Sequence, residues 1–467
     1  MDDITTIFSE DRSVSEIITD LKNKSVSVPA WDELLKYYDA TKHDVMDKAK
    51  RPDKVVKGKP VEEAARIYFS LEKLAVKRMS EFMFSIPVKR VYSNIDKDTE
   101  KQKIIKAIEA IYKHARINSV NIKRSRALFA SCEVCTLWYA VEKKNNLYGF
   151  DSKWKLKCAS YSPIDGYKLY PLFDEYGDML AMSFEYKKKV LDKEITYFET
   201  YTDDKHYKWS VAGENGYTEE VNEDIKLGKI PIIYAYRSSP IYEDLSHIRN
   251  ELEWVVSRNS DVIAYNSAPV LKVAGKLQGG EDKGNERRVY RVEADGDVSY
   301  VSWNQAIEAV KYQVDTLLKF FFMQLQLPDI SFENMKSLGS IGYDARQTLL
   351  TDAHLKVGDE QDVFIEYFER ETNIIKEFLK KMNVKWASKI DEIDIEHEIT
   401  PFIQNDEKAD IEKRQLANGG KPIESHLESI TKIGQSDNPD ETLRQIQEEE
   451  AASAKSNSIA NILNDYQ

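Results

Sequence analysis

The chain has 467 residues, enough for roughly two to four domains of ordinary size. Its 67 basic and 80 acidic side chains leave a formal charge of −13, with 42% apolar and 31% charged residues. That composition suits a folded chain and excludes a protein that coats nucleic acid by bulk positive charge. No apolar run approaches the ~20 residues of a membrane-spanning helix, the opening MDDITTIFSEDRS lacks the order of a signal peptide, and three cysteines are too few for a disulfide framework, which points to a reducing compartment.

In chain order, residues 1–30 are polar and unpatterned and read as a mobile arm. AWDELLKYYDATKHDVM and VEEAARIYFSLEKLAVKRMSEFMF read as helices, the second ended by Ile86-Pro87-Val88. One or two further helices occupy 100–130. The period then shifts towards two in CTLWYAVEKKNNLYGF, KWKLKCASYSPIDGYKLYPLF, MLAMSFEYKKKV and ITYFETYTDDKHYKWSV, which are rich in Tyr, Trp and Val and separated by turn residues. That is the pattern of antiparallel strands, so 1–240 reads as one α+β domain.

Two helices follow, flanking a small β insert. Leu245, Ile248, Leu252, Val255 and Val262 recur at steps of three, four and seven, with Asn259 in the one polar slot. Ile307, Val310, Val314, Leu317, Phe321 and Leu325 repeat the pattern. Such a seam packs helix on helix, either as an ordinary core helix or as a stalk. Between the two, PVLKVAG, RRVYRVEAD and DVSYVSW read as strands, with GGEDKGNE a loop after the first. Phe320-Phe321-Phe322 has no polar side and reads as buried. After the loop PDISFENMKSLGSIG, one long helix is expected from about Asp344 to Lys381, bent at Gly358, where the missing side chain costs ~1 kcal/mol. IDIEHEITPFI reads as a strand. Asn405 and Asp406 are candidate caps for a helix that Gly419-Gly420 ends, a short helix covers 424–432, and the acidic end reads as frayed.

Catalytic spacings are missing from the sequence. GGEDKGN lacks the Gly-Lys-Ser/Thr of a phosphate loop, and no GxSxG, HExxH or EF-hand pattern occurs. Cys132-Glu-Val-Cys135 has no second pair and no neighbouring His, so it reads as two small apolar residues at a helix-to-strand transition. Glu396-His397-Glu398 reads as a solvated strand edge rather than a cation site. No cofactor, metal or catalytic residue is assigned. The basic groups say more. Lys272, Lys276, Arg287, Arg288 and Arg291 gather in the insert of an acidic chain. They either meet phosphates or an acidic partner, or form a solvated face paired with Glu286 and Glu293. Lys336, beside Asn334 and Ser337, is the lone cation of the loop 328–342.

At this point the chain resembles the portal proteins of tailed bacteriophages, specifically the SPP1-like group. LLKYYDATKHDV, FMFSIPVK, KIPIIYAYRSSPIYEDLSHIRNELEWVVSRNSDVIAYNSAPVLKVAG, GSIGYDARQTLL and PFIQNDEKADIEKRQLANGGKPIESHLESI carry the likeness in order, over about 30–450. Glu424 departs from it, standing where such crowns commonly place a helix-capping Ser. The resemblance implies an α+β portal fold: arm and wing over 1–240, stem helices over 241–268 and 304–327, clip over 269–303, tunnel loop over 328–343, a long kinked helix and return strand over 344–400, and a helical crown over 401–467. It implies a dodecameric ring at one capsid vertex of the virion, assembled in the host cytoplasm, through which double-stranded DNA is packaged and ejected. The partners implied are the major capsid protein, a scaffolding protein, the terminase large subunit and the head-tail adaptor, with no membrane. On this reading Asn334, Lys336 and Ser337 face the DNA channel. Lys272, Arg287, Arg288 and Arg291 dock terminase and adaptor, while Leu245, Ile248, Leu252, Val255, Asn259, Val310, Val314 and Leu317 pack the stem. The protein is then no enzyme. Two alternatives stay open, another head or neck component without a channel and a Mg-dependent nuclease.

Overall fold

The alternation read between residues 133 and 236 builds two antiparallel sheets. The computed structural model describes residues 4–9, 11–55, 60–93, 98–211, 216–266, 270–274, 277–283, 287–292, 297–301, 307–329, 348, 350–402, 407–419, 422–433, 436 and 439–464, with backbone alone over 265–307, 407–410 and 453–464. In order, the first elements are α1 (Ile4–Ile7), α2 (Val14–Asn23), α3 (Trp31–Tyr38), α4 (Leu71–Phe84), β1 (Lys89–Ser93), α5 (Thr99–Ala115) and α6 (Ile117–Ser131). The strands follow: β2 (Glu133–Asn145), β3 (Ser152–Tyr161), β4 (Lys168–Phe173), β5 (Met179–Val190), β6 (Lys193–Tyr201), β7 (Lys205–Val211), β8 (Thr218–Asp224) and β9 (Ile232–Tyr236). Strands β4 to β8 form a five-stranded meander, and a three-stranded sheet has the order β3-β2-β9. The fold is mixed α+β.

The sheets pack face to face. Cys135, Leu137, Ile232 and Tyr234 of the smaller sheet meet Leu169, Met182, Phe184 and Tyr201 of the larger one. The period of two sends Leu172, Ala181, Phe198 and Trp209 to the opposite face of the meander. That face is covered by Ile7, Ile17, Ile18 and Leu21, so the expected mobile arm is instead a docked helical layer. Its sequence looked unpatterned because only one narrow stripe of α2 is apolar. The helix is started by a capping box in which Ser13 and Glu16 satisfy each other's backbone amides.

The second stretch expected as helix from Val61 begins only at Leu71; residues 63–70 lie in neither helix nor strand. The cause is tertiary and is given below. Helix α4 stops at Phe84, ahead of Pro87, as expected, and β1 pairs antiparallel with β14 (Asp394–Glu398).

Helices α7 (Ser246–Asn266) and α8 (Ile307–Leu325) flank two antiparallel ribbons. One pairs β10 (Val270–Ala274) with β13 (Asp297–Val301). The other pairs β11 (Leu277–Lys283) with β12 (Arg287–Val292). Gly279 and Gly280 of GGEDKGNE therefore stand in a strand rather than a loop. A register shift between Leu277 and Gly279 marks the bulge they permit. The single long helix is two: α9 (Thr351–Glu360) and α10 (Asp362–Met382), followed by α11 (Ala387–Glu392). Gly358 lies inside α9, and the interruption falls at Gln361.

By its contacts the chain divides into two compact units, Met1–Asp329 with Asp352–Phe402, and Ile330–Thr351 with Ile403–Gln467. In the second, α12 (Glu407–Asn418), α13 (His426–Ile433) and α14 (Pro439–Asn464) are helical, so the acidic end expected to fray is a helix of 26 residues. The candidate caps Asn405 and Asp406 lie outside the described residues. Ser425 rather than Glu424 caps α13: its Oγ accepts the Glu428 amide, while Glu424 accepts from Arg414, Ser429 and Lys432. These donors, Lys432 foremost, hold its carboxyl down at about 2.

Candidate functional site

The helix pair expected as a stem is positioned by a polar ladder that the apolar seam concealed. Arg249, Glu253, Ser257 and Asp261 follow one another at steps of four, so they share one face of α7. Segment 63–70 runs along that face. The amides of Phe69, Ile67 and Ala65 donate to Glu253 Oε1, Ser257 Oγ and Asp261 Oδ1 at 2.8, 2.9 and 2.8 Å. Two residues of extended chain advance about 6.7 Å, and four helical residues about 6.0 Å, so every second amide finds the next rung.

The rungs are tied down in turn. Glu253, fully buried, also receives His43 Nδ1 at 2.7 Å and Arg249 Nη1 at 3.0 Å. Arg249 Nε donates to Glu72 at 2.7 Å, whose carboxyl burial pushes up in pKa against the opposing pull of Arg249. Arg51 bridges Asp261 and the Ala65 carbonyl at 2.6 and 2.8 Å. A segment whose backbone donors are claimed this way has no use for intrahelical bonds, which is why 63–70 is not helix.

Of the expected seam, Leu245 and Leu252 are buried, while Ile248, Val255, Asn259, Val310, Val314 and Leu317 are half-buried. Helices α7 and α8 pack on each other. The three phenylalanines diverge as successive helical residues must: Phe321 is buried, Phe322 half-buried, and Phe320 is 47% exposed. Tyr312 and Met323 on the same helix are exposed as well. Lys272 lies on β10, and Arg287, Arg288 and Arg291 lie on β12 opposite Lys283, Asp282 and Gly279. Their side chains, like Asn334, Lys336 and Ser337, are outside the described residues.

The remaining ionisable clusters serve packing. On the helical side of the small sheet, the guanidinium of Arg124 forks onto Glu371 at 2.7 and 3.0 Å, and Trp138 Nε1 adds a third bond at 3.0 Å. His397, expected on a solvated edge, is buried, because the β14 pleat turns it inward while Glu396 and Glu398 stay out. Its Nε2 meets Thr372 Oγ1 at 3.1 Å. Burial, helped by the Arg90 cation, lowers its pKa to about 4. Cys132 and Cys135 are buried, and burial pushes the thiols of Cys132 and Cys158 up to about 12 and that of Cys135 well up too. Among the described residues no three His, Cys, Asp or Glu side chains converge on a metal position. Nor is any described helix long and apolar enough to cross a membrane.

No curated protein matches the chain. Among solved structures, a chain of the assembly titled "Neck of empty GTA particle computed with C6 symmetry" is similar at 11% identity and a TM-score of 0.41, covering 89% of this chain and 96% of that one. The family described as "Phage portal protein, SPP1 Gp6-like" matches residues 20–456. The two sheets, the paired helices with their β ribbons and most of the helical carboxy-terminal unit fall within that match, and the chain belongs to the phage portal protein family, SPP1 Gp6-like.

Proposed function

We propose that the protein forms a dodecameric ring at one capsid vertex, assembled in the host cytoplasm, and that duplex DNA is packaged and ejected through its centre. The observation that carries this reading is the stem: α7 and α8 form a helix pair about 30 Å long, with β ribbons inserted between them. The pair still exposes Ile263, Tyr312, Phe320 and Met323. Apolar side chains exposed along a helix pair ask for neighbours, and identical neighbours repeated head to tail close into a ring. Asn259, the polar residue in the seam, then fixes the register between subunits.

In such a ring the wall must let DNA slide. Each phosphate neutralised by Lys or Arg adds affinity through counterion release, so a cation-rich lining would brake the duplex. A chain of charge −13 makes a mostly repulsive wall, and the lone Lys336 with Asn334 and Ser337, repeated by symmetry, centres the duplex with little hold. The ribbons bearing Lys272, Arg287, Arg288 and Arg291 serve as the clip that docks the terminase large subunit and later the head-tail adaptor. The wing and crown sit against capsid and scaffolding proteins. Electron micrographs of the purified protein test the reading: rings with a duplex-wide hole are expected. Solitary molecules under every condition, including in the presence of procapsid shells, would overturn it. Lys336→Glu is expected to change DNA packaging or retention while leaving rings intact.

A further inference from the structure

Strand β2 is much longer than its neighbour β9. Their pairing ends at Leu137 opposite Ile232, with one further bond from the Trp138 amide to the Pro231 carbonyl at 2.8 Å. Pairing with β3 on the other side continues to Glu142. In an antiparallel ladder alternate residues bond to opposite sides. Because Trp138 donates towards β9, the amides and carbonyls of Ala140 and Glu142 also face that side, where β9 has stopped. Among the described residues no bond to them is recorded.

The open stretch lies at the floor of a groove of about 720 Å³. The β2–β3 register puts Tyr139 and Trp154 on opposite faces of the sheet, and both are exposed. Tyr161, Tyr201 and His206 line the groove on the Tyr139 side, and Phe378, Met382 and Lys381 on the Trp154 side. An added strand would send successive side chains alternately to these two aromatic walls, the arrangement that strand addition requires.

The flanking charge selects the occupant. The same hairpin carries Lys143, Lys144, Lys153, Lys155 and Lys157, all but Lys155 exposed, and none of the five has a carboxylate partner among the described residues; with Lys226 and Lys381 of the groove they outnumber the acids there, Glu223, Asp224 and the edge residue Glu142. Lysines at an edge can also serve to repel another strand. Here, however, the open stretch Ala140–Glu142 and the preceding Tyr139 carry no lysine, and the lysines stand beyond and behind it. We infer that the free edge of β2 at Ala140–Glu142 is a strand-addition site for an extended, acidic segment of a partner polypeptide, continuing the ladder where β9 ends.

The test uses the full-length protein and a fluorescein-labelled peptide, Asp-Glu-Val-Thr-Val-Thr-Val-Asp-Glu, followed by fluorescence anisotropy, with amide hydrogen exchange as a second readout. Saturable binding and slowed exchange at Ala140 and Glu142 are expected. A peptide with proline at its central Val, which cannot complete the ladder, should bind about tenfold more weakly. Lys155→Glu with Lys157→Glu should weaken binding by about threefold or more per site. Ala140→Pro removes an edge amide that has no recorded partner and should abolish protection at Glu142. Equal binding of the proline peptide would mean charge alone and overturn the inference, as would absent binding, unchanged exchange at both amides, or a DNA duplex binding the same lysines more tightly than the peptide.

Discussion

Removing the Glu253 carboxylate tests the ladder that fixes α7. In Glu253→Ala, two buried donors and one half-buried donor lose an acceptor: His43 Nδ1, Arg249 Nη1 and the Phe69 amide. Arg249 keeps Glu72, and His43 keeps the Tyr37 carbonyl at 2.8 Å, so neither is wholly stranded. At about 1–3 kcal/mol for an orphaned buried donor, with the retained partners softening two of the three, the loss should total about 3–5 kcal/mol. Glu253→Gln keeps one acceptor oxygen but turns an amide towards a donor, and should cost about half as much. The assay is urea unfolding combined with hydrogen exchange at Ala65, Ile67 and Phe69. Exchange should quicken at Phe69 first, and the midpoint should fall. A loss below about 1 kcal/mol with Phe69 protected as before would refute the view that side chains of α7 hold segment 63–70.

Three further outcomes follow from other parts of the fold. His397 has a folded pKa of about 4 against an ordinary 6.5, so the unfolded chain binds its proton first as pH falls. The stabilisation is whole above pH 6.5 and is lost between there and about 4, amounting to about 3 kcal/mol. An NMR titration of the imidazole with a midpoint at its ordinary value would contradict this. Glu371→Leu should destabilise by about 3–5 kcal/mol because Arg124 stays buried without its carboxylate, whereas the double change with Arg124→Met should recover most of the loss in thermal unfolding; equal losses would show that the pair is not coupled. Ser13→Ala should cost about 1 kcal/mol through loss of the cap on α2 and expose residues 24–30 to faster proteolysis, and an unchanged digestion rate would argue that packing alone holds the arm.

The strands were legible because Tyr, Trp and Val alternate with charged residues through a half-buried sandwich, and the helix stop at Phe84 because Pro87 leaves no other choice. Two misreadings share a cause. EEAARIYFSL has the composition of a helix, yet its amides are taken by α7, and no local signal reports a distant acceptor. Residues 4–21 looked patternless because a lone stripe of Ile7, Ile17, Ile18 and Leu21 suffices to cover a sheet. The ladder itself left a trace that was readable in principle: polar residues at 249, 253, 257 and 261 keep a strict spacing of four on a helix whose apolar residues already mark another face. In the fold Arg249, Glu253 and Ser257 are buried and Asp261 half-buried. His397 shows the converse, since the pleat of a short strand hides the middle residue of Glu-His-Glu while its neighbours suggest exposure.

Burial of Cys132 and Cys135, with Cys158 half-buried, should also slow the reaction of the native thiols with maleimide dyes. With burial pushing the thiols of Cys132, Cys135 and Cys158 upward, a cysteine placed on the surface, as in Val384→Cys at a position 77% exposed, should label faster than all three and serve as the attachment point for a fluorophore or spin label. Distances between subunits can then be measured in the assembled particle without first stripping the natural cysteines from the sequence.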